Sequence, residues 1–282
     1  MRPPASGAPS DTKMLPSDDL RARPIPAIDP SLYSSDYRRT PFDFDDPRSR
    51  EPLVDIAGFG LAGESYYARD DGWNEPYRRA LKSDRRILCR EGVARALAAV
   101  DRSLAPYGVE LFVLDVHRDV GVQSALWDHF MDHARALMPD AGEEELVSFT
   151  RTFVSDPRQF DPEDWRTWPV HSTGGAVDLT LRRRGSGDWL FMGTVFDDGS
   201  PVSATDYFET LARENPSALA ASGEAALRNR RLLYHAMRAE GFTNYAYEWW
   251  HYDLGTQLWA KLRSHEEGRA VAAVYGHATD AG

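Results

Sequence analysis

The chain has 282 residues, enough for one large or two small domains, and its 42% hydrophobic share is that of an ordinary globular protein. Its formal net charge of −11 argues against a nucleic-acid partner and against anchoring on anionic lipid, since both need a positive surface. No stretch approaches ~18 consecutive apolar residues, so no membrane span is expected, and the segment after Met1 lacks the apolar core of a secretory signal.

Residues 1–50 are rich in Pro, Ser, Asp and Arg with few grouped aliphatics. Such a composition buries little surface and reads as a poorly structured N-terminal arm, pinned in part by Tyr33, Tyr37 and Phe42. The globular part begins near Leu53. Gly58 to Gly63 and then Tyr66-Tyr67 read as strand and loop that could line a site; the Gly-Lys-Ser/Thr ending of a phosphate loop is missing. The single cysteine, Cys89, excludes an internal disulfide and fits a reducing cytoplasm. Beside Ile87 and Leu88 it reads as an inert buried thiol.

Val93, Leu97, Val100 and Leu104 recur at steps of three and four and predict a helix over 91–105, stopped by Pro106 and Gly108. The apolar run from Val109 to Leu114 predicts a central strand buried on both faces, with an unusual polar end at Asp115-Val-His117-Arg118-Asp119. A helix over about 121–138 follows, and a short one opens on Glu143-Glu144-Glu145, where acids suit the helix dipole. Residues 153–168 read as a polar and aromatic loop. Val177, Leu179 and Leu181 alternate, so a strand is expected with Asp178 on its other face. Arg182 to Gly187 predict a hairpin turn and 189–197 its return segment. Helices are expected near 204–213 and 223–240, the second with Ser222 as N-cap and Gly241 as stop. Phe242 to Tyr252 reads as an aromatic strand, followed by a helix near 256–264 and a fraying tail over 266–282.

Three side chains suit a metal: His171, Asp178 and His251. Imidazole nitrogen and carboxylate oxygen are zinc ligands, and three protein ligands leave a fourth position open. His171 and Asp178 are too far apart to meet on a regular strand, but Gly174-Gly175 between them can bend the chain. Glu248 is the candidate general base, although on a regular strand it would face away from His251. Arg118 could neutralise an oxyanion. Each short motif alone also fits a structural reading: Glu248 to His251 as an aromatic core strand with a hydrogen-bonded histidine, Arg118 as a surface ion-pair partner of Asp115 or Asp119. The other six histidines fall mostly on expected helices or tails and read as solvated.

Taken together, the motifs resemble those of the zinc D-Ala-D-Ala dipeptidases of the VanX type, relatives of the zinc D,D-carboxypeptidases and of the Hedgehog signalling domain. His171, Gly174, Ala176 and Asp178 fit that family's first ligand motif, and Glu248-Trp-Trp-His-Tyr252 matches its second without change. Met192 to Asp197, Asn229 to Leu233 and Asp115 to Asp119 correspond to further segments, so the likeness spans roughly residues 53–255. The resemblance implies an α+β fold with a central antiparallel sheet flanked by helices, and a catalytic domain over 51–265. It implies one Zn2+ per chain held by His171, Asp178 and His251, Glu248 as base, Arg118 stabilising the transition state, and Asp197 near the substrate's ammonium group. The expected activity is hydrolysis of D-Ala-D-Ala or a related small dipeptide in the cytoplasm, without an obligate protein partner. A carboxypeptidase or amidase acting on a peptidoglycan fragment or specialised metabolite is the alternative, as is a zinc-bearing binding module without turnover. This chain departs from the family where Pro169 replaces a serine, where His117 and Asp119 flank the arginine, and where Gly63 to Tyr67 replaces an Asn-Phe-x-Gly segment.

Overall fold

The apolar run after Gly108 forms β4 (Val109–Asp115), and the alternating run after Gly175 forms β5 (Ala176–Arg183). They pair antiparallel, and nearly every residue of both is buried. This computed structural model describes residues 19–81 and 83–278. The central sheet runs β2 (Ala62–Gly63), β4, β5, β7 (His251–Asp253), β6 (Thr243–Asn244). Its pairs are antiparallel except β2 with β4, which is parallel. A second, two-stranded sheet joins β1 (Leu53–Asp55) to β3 (Leu88–Arg90).

Helices pack around this sheet as an α+β arrangement. They are α1 (Glu91–Leu104), α2 (Val120–Leu137), α3 (Glu143–Thr150), α4 (Tyr207–Glu214), α5 (Ala221–Ala239) and α6 (Gln257–Glu267). The stripe of α1 is buried at Val93, Leu97, Val100 and Leu104, as its spacing requires. Asp119 caps α2 by accepting from Val122 N–H. α5 begins at Ala221, with Ala220 as N-cap and no side-chain cap, so Ser222 lies inside the helix rather than capping it. No helix among the described residues is long and apolar enough to cross a membrane.

Three expectations need correction. The arm is ordered over residues 19–50: it forms short 3-10 turns at Pro30–Tyr33, Ser35–Arg39 and Pro47–Arg50 and packs against the sheet domain. Tyr33 donates to Asn244 O, Gln257 Nε2 donates to the carbonyls of Arg38 and Thr40, and Asp36 pairs with Lys261. His235, expected to be solvated, is 6% exposed under Arg23 and Pro24. Residues 1–18 lie outside the described residues. The tail does not fray before residue 278: Ala273 bridges Phe42, and Val274 and Tyr275 are buried. Residues 279–282 lie outside the described residues.

The return strand at 189–197 also does not form. Beyond a single bridge from Arg182 to Trp189 the segment is a loop, turned by Gly193 at φ +99° and Asp197 at φ +59°. Instead of a full ladder, the Met192 carbonyl within the segment and the Val202 and Ala204 carbonyls beyond it meet Arg230. That buried guanidinium donates to Met192 O at 2.7 Å, Ala204 O at 2.7 Å and Val202 O at 2.8 Å.

Candidate metal centre and substrate cavity

Cross-strand register sets up the site. Asp115 on β4 lies opposite Asp178 on β5, and Asp178 lies opposite His251 on β7. Three neighbouring strands therefore place three ionisable groups in a row. His171 joins them from the 3-10 turn Val170–Thr173, which ends at Gly174 in the left-handed region (φ +70°). Gly175 has no room for a side chain, since a Cβ there would sit 2.7 Å from Leu254 O. The glycine pair thus folds His171 back beside Asp178.

The expected strand over 242–252 is two short strands joined by a turn. His251 N–H donates to Glu248 O at 3.3 Å and Glu248 N–H donates to Tyr245 O at 3.1 Å. Asn244 Nδ2 braces the turn by donating to Glu248 O and His251 O. Because Glu248 lies in the turn, strand alternation does not apply to it. Its carboxylate comes within 3.8 Å of His251 Nδ1.

His171, Asp178 and His251 are 6%, 2% and 5% exposed and converge on one point. His171 Nε2 lies 3.3 Å from His251 Nδ1 and 3.4 Å from Asp178 Oδ2, and His251 Nδ1 lies 3.0 Å from Asp178 Oδ1. Ligands 2.0–2.2 Å from a tetrahedral zinc stand roughly 3.3–3.6 Å apart; two of these separations fall in that range and the third is a few tenths of an ångström shorter. The outward nitrogens are already engaged: His171 Nδ1 meets Val116 O at 2.8 Å, and His251 Nε2 meets Asp253 Oδ2 at 3.0 Å. Each ring is held with one nitrogen turned toward the common point, as metal-binding imidazoles are.

The electrostatics point the same way. Burial pushes His171 down to about 3, leaving a neutral ring. Burial opposes protonation of His251, but Asp253 and Asp178 hold it well above its ordinary value; ligation requires Nδ1 to give up that proton. Burial would raise Asp178, yet His171, His251 and Arg118 together hold it below the usual carboxylate value. Burial pushes Glu248 up to about 8, with the neighbouring His251 opposing that rise. The side chain of Glu248 keeps 26% of its surface open and lines the cavity.

Arg118 is 8% exposed and is no surface cation. Its Nε donates to Asp115 Oδ2 at 3.0 Å, and its Nη2 donates to Tyr67 Oη at 3.0 Å and Asp178 Oδ2 at 3.4 Å. Asp197 lies one contact further on, accepting from the hydroxyls of Tyr67 at 2.8 Å and Tyr77 at 2.9 Å. Its positive φ is rare for a non-glycine residue and is a form of strain found at functional sites. Burial pushes it up to about 7, as it does Asp115. Sequence reasoning named Asp115 only as a surface partner of Arg118, and it missed Asp253 and Tyr77. The polar end of β4 was the visible signal for Asp115; the other two are revealed only by packing.

Tyr67, Tyr77, Arg118, Asp197, Glu248 and the three candidate ligands line one cavity of about 1030 Å³, which also reaches the arm at Tyr33, Tyr37 and Arg38 and the 153–168 loop. A family model described as D-ala-D-ala dipeptidase, peptidase M15, matches residues 52–267. The chain belongs to this family. The D-alanyl-D-alanine dipeptidase of Streptomyces coelicolor is 44% identical over 203 residues, covering 72% of this chain and 90% of that protein. The D-alanyl-D-alanine dipeptidase of Synechocystis sp. is 30% identical over 184 residues, covering 61% of this chain and 71% of that one. A solved structure of VanYB in complex with D-alanine-D-alanine aligns at 14% identity with a TM-score of 0.37, covering 65% of this chain and 80% of that one. Residues 19–50 of the arm precede the span the family model matches, yet supply part of the cavity wall.

Proposed function

We propose that the chain is a zinc-dependent dipeptidase that hydrolyses D-Ala-D-Ala or a dipeptide closely related to it. The convergence of His171 Nε2 and His251 Nδ1, 3.3 Å apart, on the Asp178 carboxylate, which meets the first with Oδ2 at 3.4 Å and the second with Oδ1 at 3.0 Å, carries this reading. These three residues would hold one zinc. When bound, zinc supplies Lewis-acid chemistry, acidifying water and polarising a carbonyl.

Glu248, beside the ligand set and open to the cavity, takes the proton of the attacking water as its oxygen adds to the scissile carbonyl carbon. It then delivers that proton to the amide nitrogen as the carbon–nitrogen bond breaks, and the leaving residue departs as a free amine. Arg118 donates toward the oxygen on which negative charge develops, from a position fixed by Asp115 and Tyr67. Asp197 receives the substrate's ammonium group, with both tyrosine hydroxyls keeping its carboxylate in place. The reading without turnover is disfavoured, because Glu248 and Arg118 both reach the cavity beside the ligand set.

A cytoplasmic setting and one zinc per chain belong to the same proposal. The lone cysteine supports the first, and the single cluster of possible ligands among the described residues supports the second. The test is a hydrolysis screen over D,D-, L,D- and L,L-dipeptides with zinc supplied. Release of two free amino acids from D-Ala-D-Ala is the expected result; no cleavage of any dipeptide would sink the reading.

A further inference from the structure

A chain of contacts runs along one wall of the cavity. Asp197 touches Tyr67, Tyr67 touches Arg118, Arg118 touches Asp178, and Asp178 touches His251. Beyond His251 the contacts continue into aromatic rings: Tyr245 lies 5.8 Å from the His251 ring, with Tyr33 at 5.8 Å and Tyr247 at 5.4 Å from Tyr245. With the substrate's ammonium group at Asp197 and its scissile carbonyl at the metal centre, the leaving residue falls among these rings. This ordering rests on the dipeptidase reading above.

The aromatic end is larger and more apolar than a methyl side chain needs. Tyr247 is 47% exposed, a large ring facing the cavity with much of its surface uncovered. The cavity, at about 1030 Å³, stands at the upper end of the range that holds drug-sized ligands and is far more than D-Ala-D-Ala fills. The family segments do not build this end alone, since Tyr33, Tyr37 and Arg38 come from the arm.

Charge runs along the same axis. The Asp197 end and metal centre carry the carboxyl groups of Asp178, Asp197 and Glu248 on the cavity wall, and Arg118 there is already paired with Asp115 and Asp178. The arm end carries Arg38, whose guanidinium donates to Ser155 Oγ at 3.0 Å and to the carbonyls of Trp168 and Arg166. All three acceptors are neutral, so among the described residues its charge meets no carboxylate. Arg151 and Arg166 on the same wall are each paired with one, Asp156 and Asp164. A zwitterionic peptide would therefore enter with its ammonium toward Asp197 and its carboxylate toward Arg38.

We infer that the arm builds a subsite for the leaving residue, and that the substrates are dipeptides whose second residue has a large apolar or aromatic side chain and a free carboxylate. The rings contact the side chain and Arg38 the carboxylate. An apolar pocket distinguishes side chains by about 10–200-fold per methylene-sized difference in fit.

The zinc-loaded full chain is tested with D-Ala-D-Ala, D-Ala-D-Phe and D-Ala-D-Phe amide. The expected result is kcat/KM for D-Ala-D-Phe at least about 10-fold above that for D-Ala-D-Ala. In Tyr247→Ala, whose ring is exposed and whose loss leaves folding intact, that ratio falls toward one. In Arg38→Gln the preference for free acid over amide disappears, mainly through KM. Cleavage of D-Ala-D-Ala in preference to D-Ala-D-Phe overturns the inference while leaving the dipeptidase reading in place. So does a ratio unmoved by Tyr247→Ala, or an acid preference unmoved by Arg38→Gln. Failure to cleave any of the three overturns the dipeptidase reading itself.

Discussion

Asp253 Oδ2 lies 3.0 Å from His251 Nε2, the nitrogen turned away from His171 and Asp178. Asp253 is fully buried, and its other oxygen accepts from Thr256 Oγ1 at 2.7 Å, so the carboxylate cannot swing aside. It fixes which nitrogen of His251 is free to bind a cation and raises the basicity of that nitrogen. Asp253→Asn keeps the shape but removes the charge. Zinc affinity should fall about 10–100-fold, measured by competition against a chromogenic chelator. An unchanged affinity would show that Asp253 only packs.

Glu248 and His251 should separate cleanly when substituted. Glu248→Ala removes a side chain that lines the cavity but leaves the three converging donor atoms in place. Its metal content should stay near that of the wild type while hydrolysis falls about 10²–10⁴-fold. His251→Ala removes one of the three donors and should lose the metal as well. Metal analysis beside initial rates reads both; full activity in Glu248→Ala would end its assignment as base, and normal zinc in His251→Ala would end the ligand assignment.

Much of this site was legible because its chemistry is compressed into short motifs. Alternation at Val177, Leu179 and Leu181 fixed the face on which Asp178 lies, and Gly174-Gly175 announced the bend that brings His171 to it. Strand alternation gave the wrong geometry for Glu248, because the Tyr245–Trp250 turn is stabilised from outside by Asn244 and by Trp249 N–H donating to Ser203 O. No local pattern carries that information. The arm misled for a similar reason. Its composition lacks the apolar spacing of an independent element, and its order comes from distant partners such as Gln257, Lys261 and Asn244.

Arg230 should act on the Asp197 loop from a distance. Its three bonds clamp both sides of that loop, at Met192 and at Val202 and Ala204, and the loop is further tied to the Glu248 turn by Trp249 Nε1 donating to Thr194 Oγ1. Arg230→Met would leave buried carbonyls without donors, at a cost of about 1–3 kcal/mol each. A total loss near 3 kcal/mol should lower Tm by roughly 6–12 °C for a domain of this size. At a temperature where the variant is still folded, KM should rise more than kcat falls, because Asp197 is displaced while the metal ligands are not. A variant with wild-type Tm would contradict the clamp.

Cys89 gives a pH-dependent prediction that does not involve the active site. It is fully buried on β3, and burial pushes its thiol up to about 12. In the unfolded chain the thiol titrates near about 8.5. The unfolded state therefore releases a proton above that pH while the folded state keeps it, so the stabilisation is complete below pH ~8.5 and is lost as pH rises toward 12. At pH ~9.5 the difference amounts to about 1 kcal/mol. Urea unfolding of the wild type and of Cys89→Ala, each at pH ~7.5 and ~9.5, isolates this contribution. The wild type should lose about 1 kcal/mol more between the two pH values than the variant does, whatever offset the alanine itself introduces. Equal pH dependence in the two proteins would mean that Cys89 ionises as readily in the folded chain as in the unfolded one, and rapid modification of the native protein by a thiol reagent would say the same.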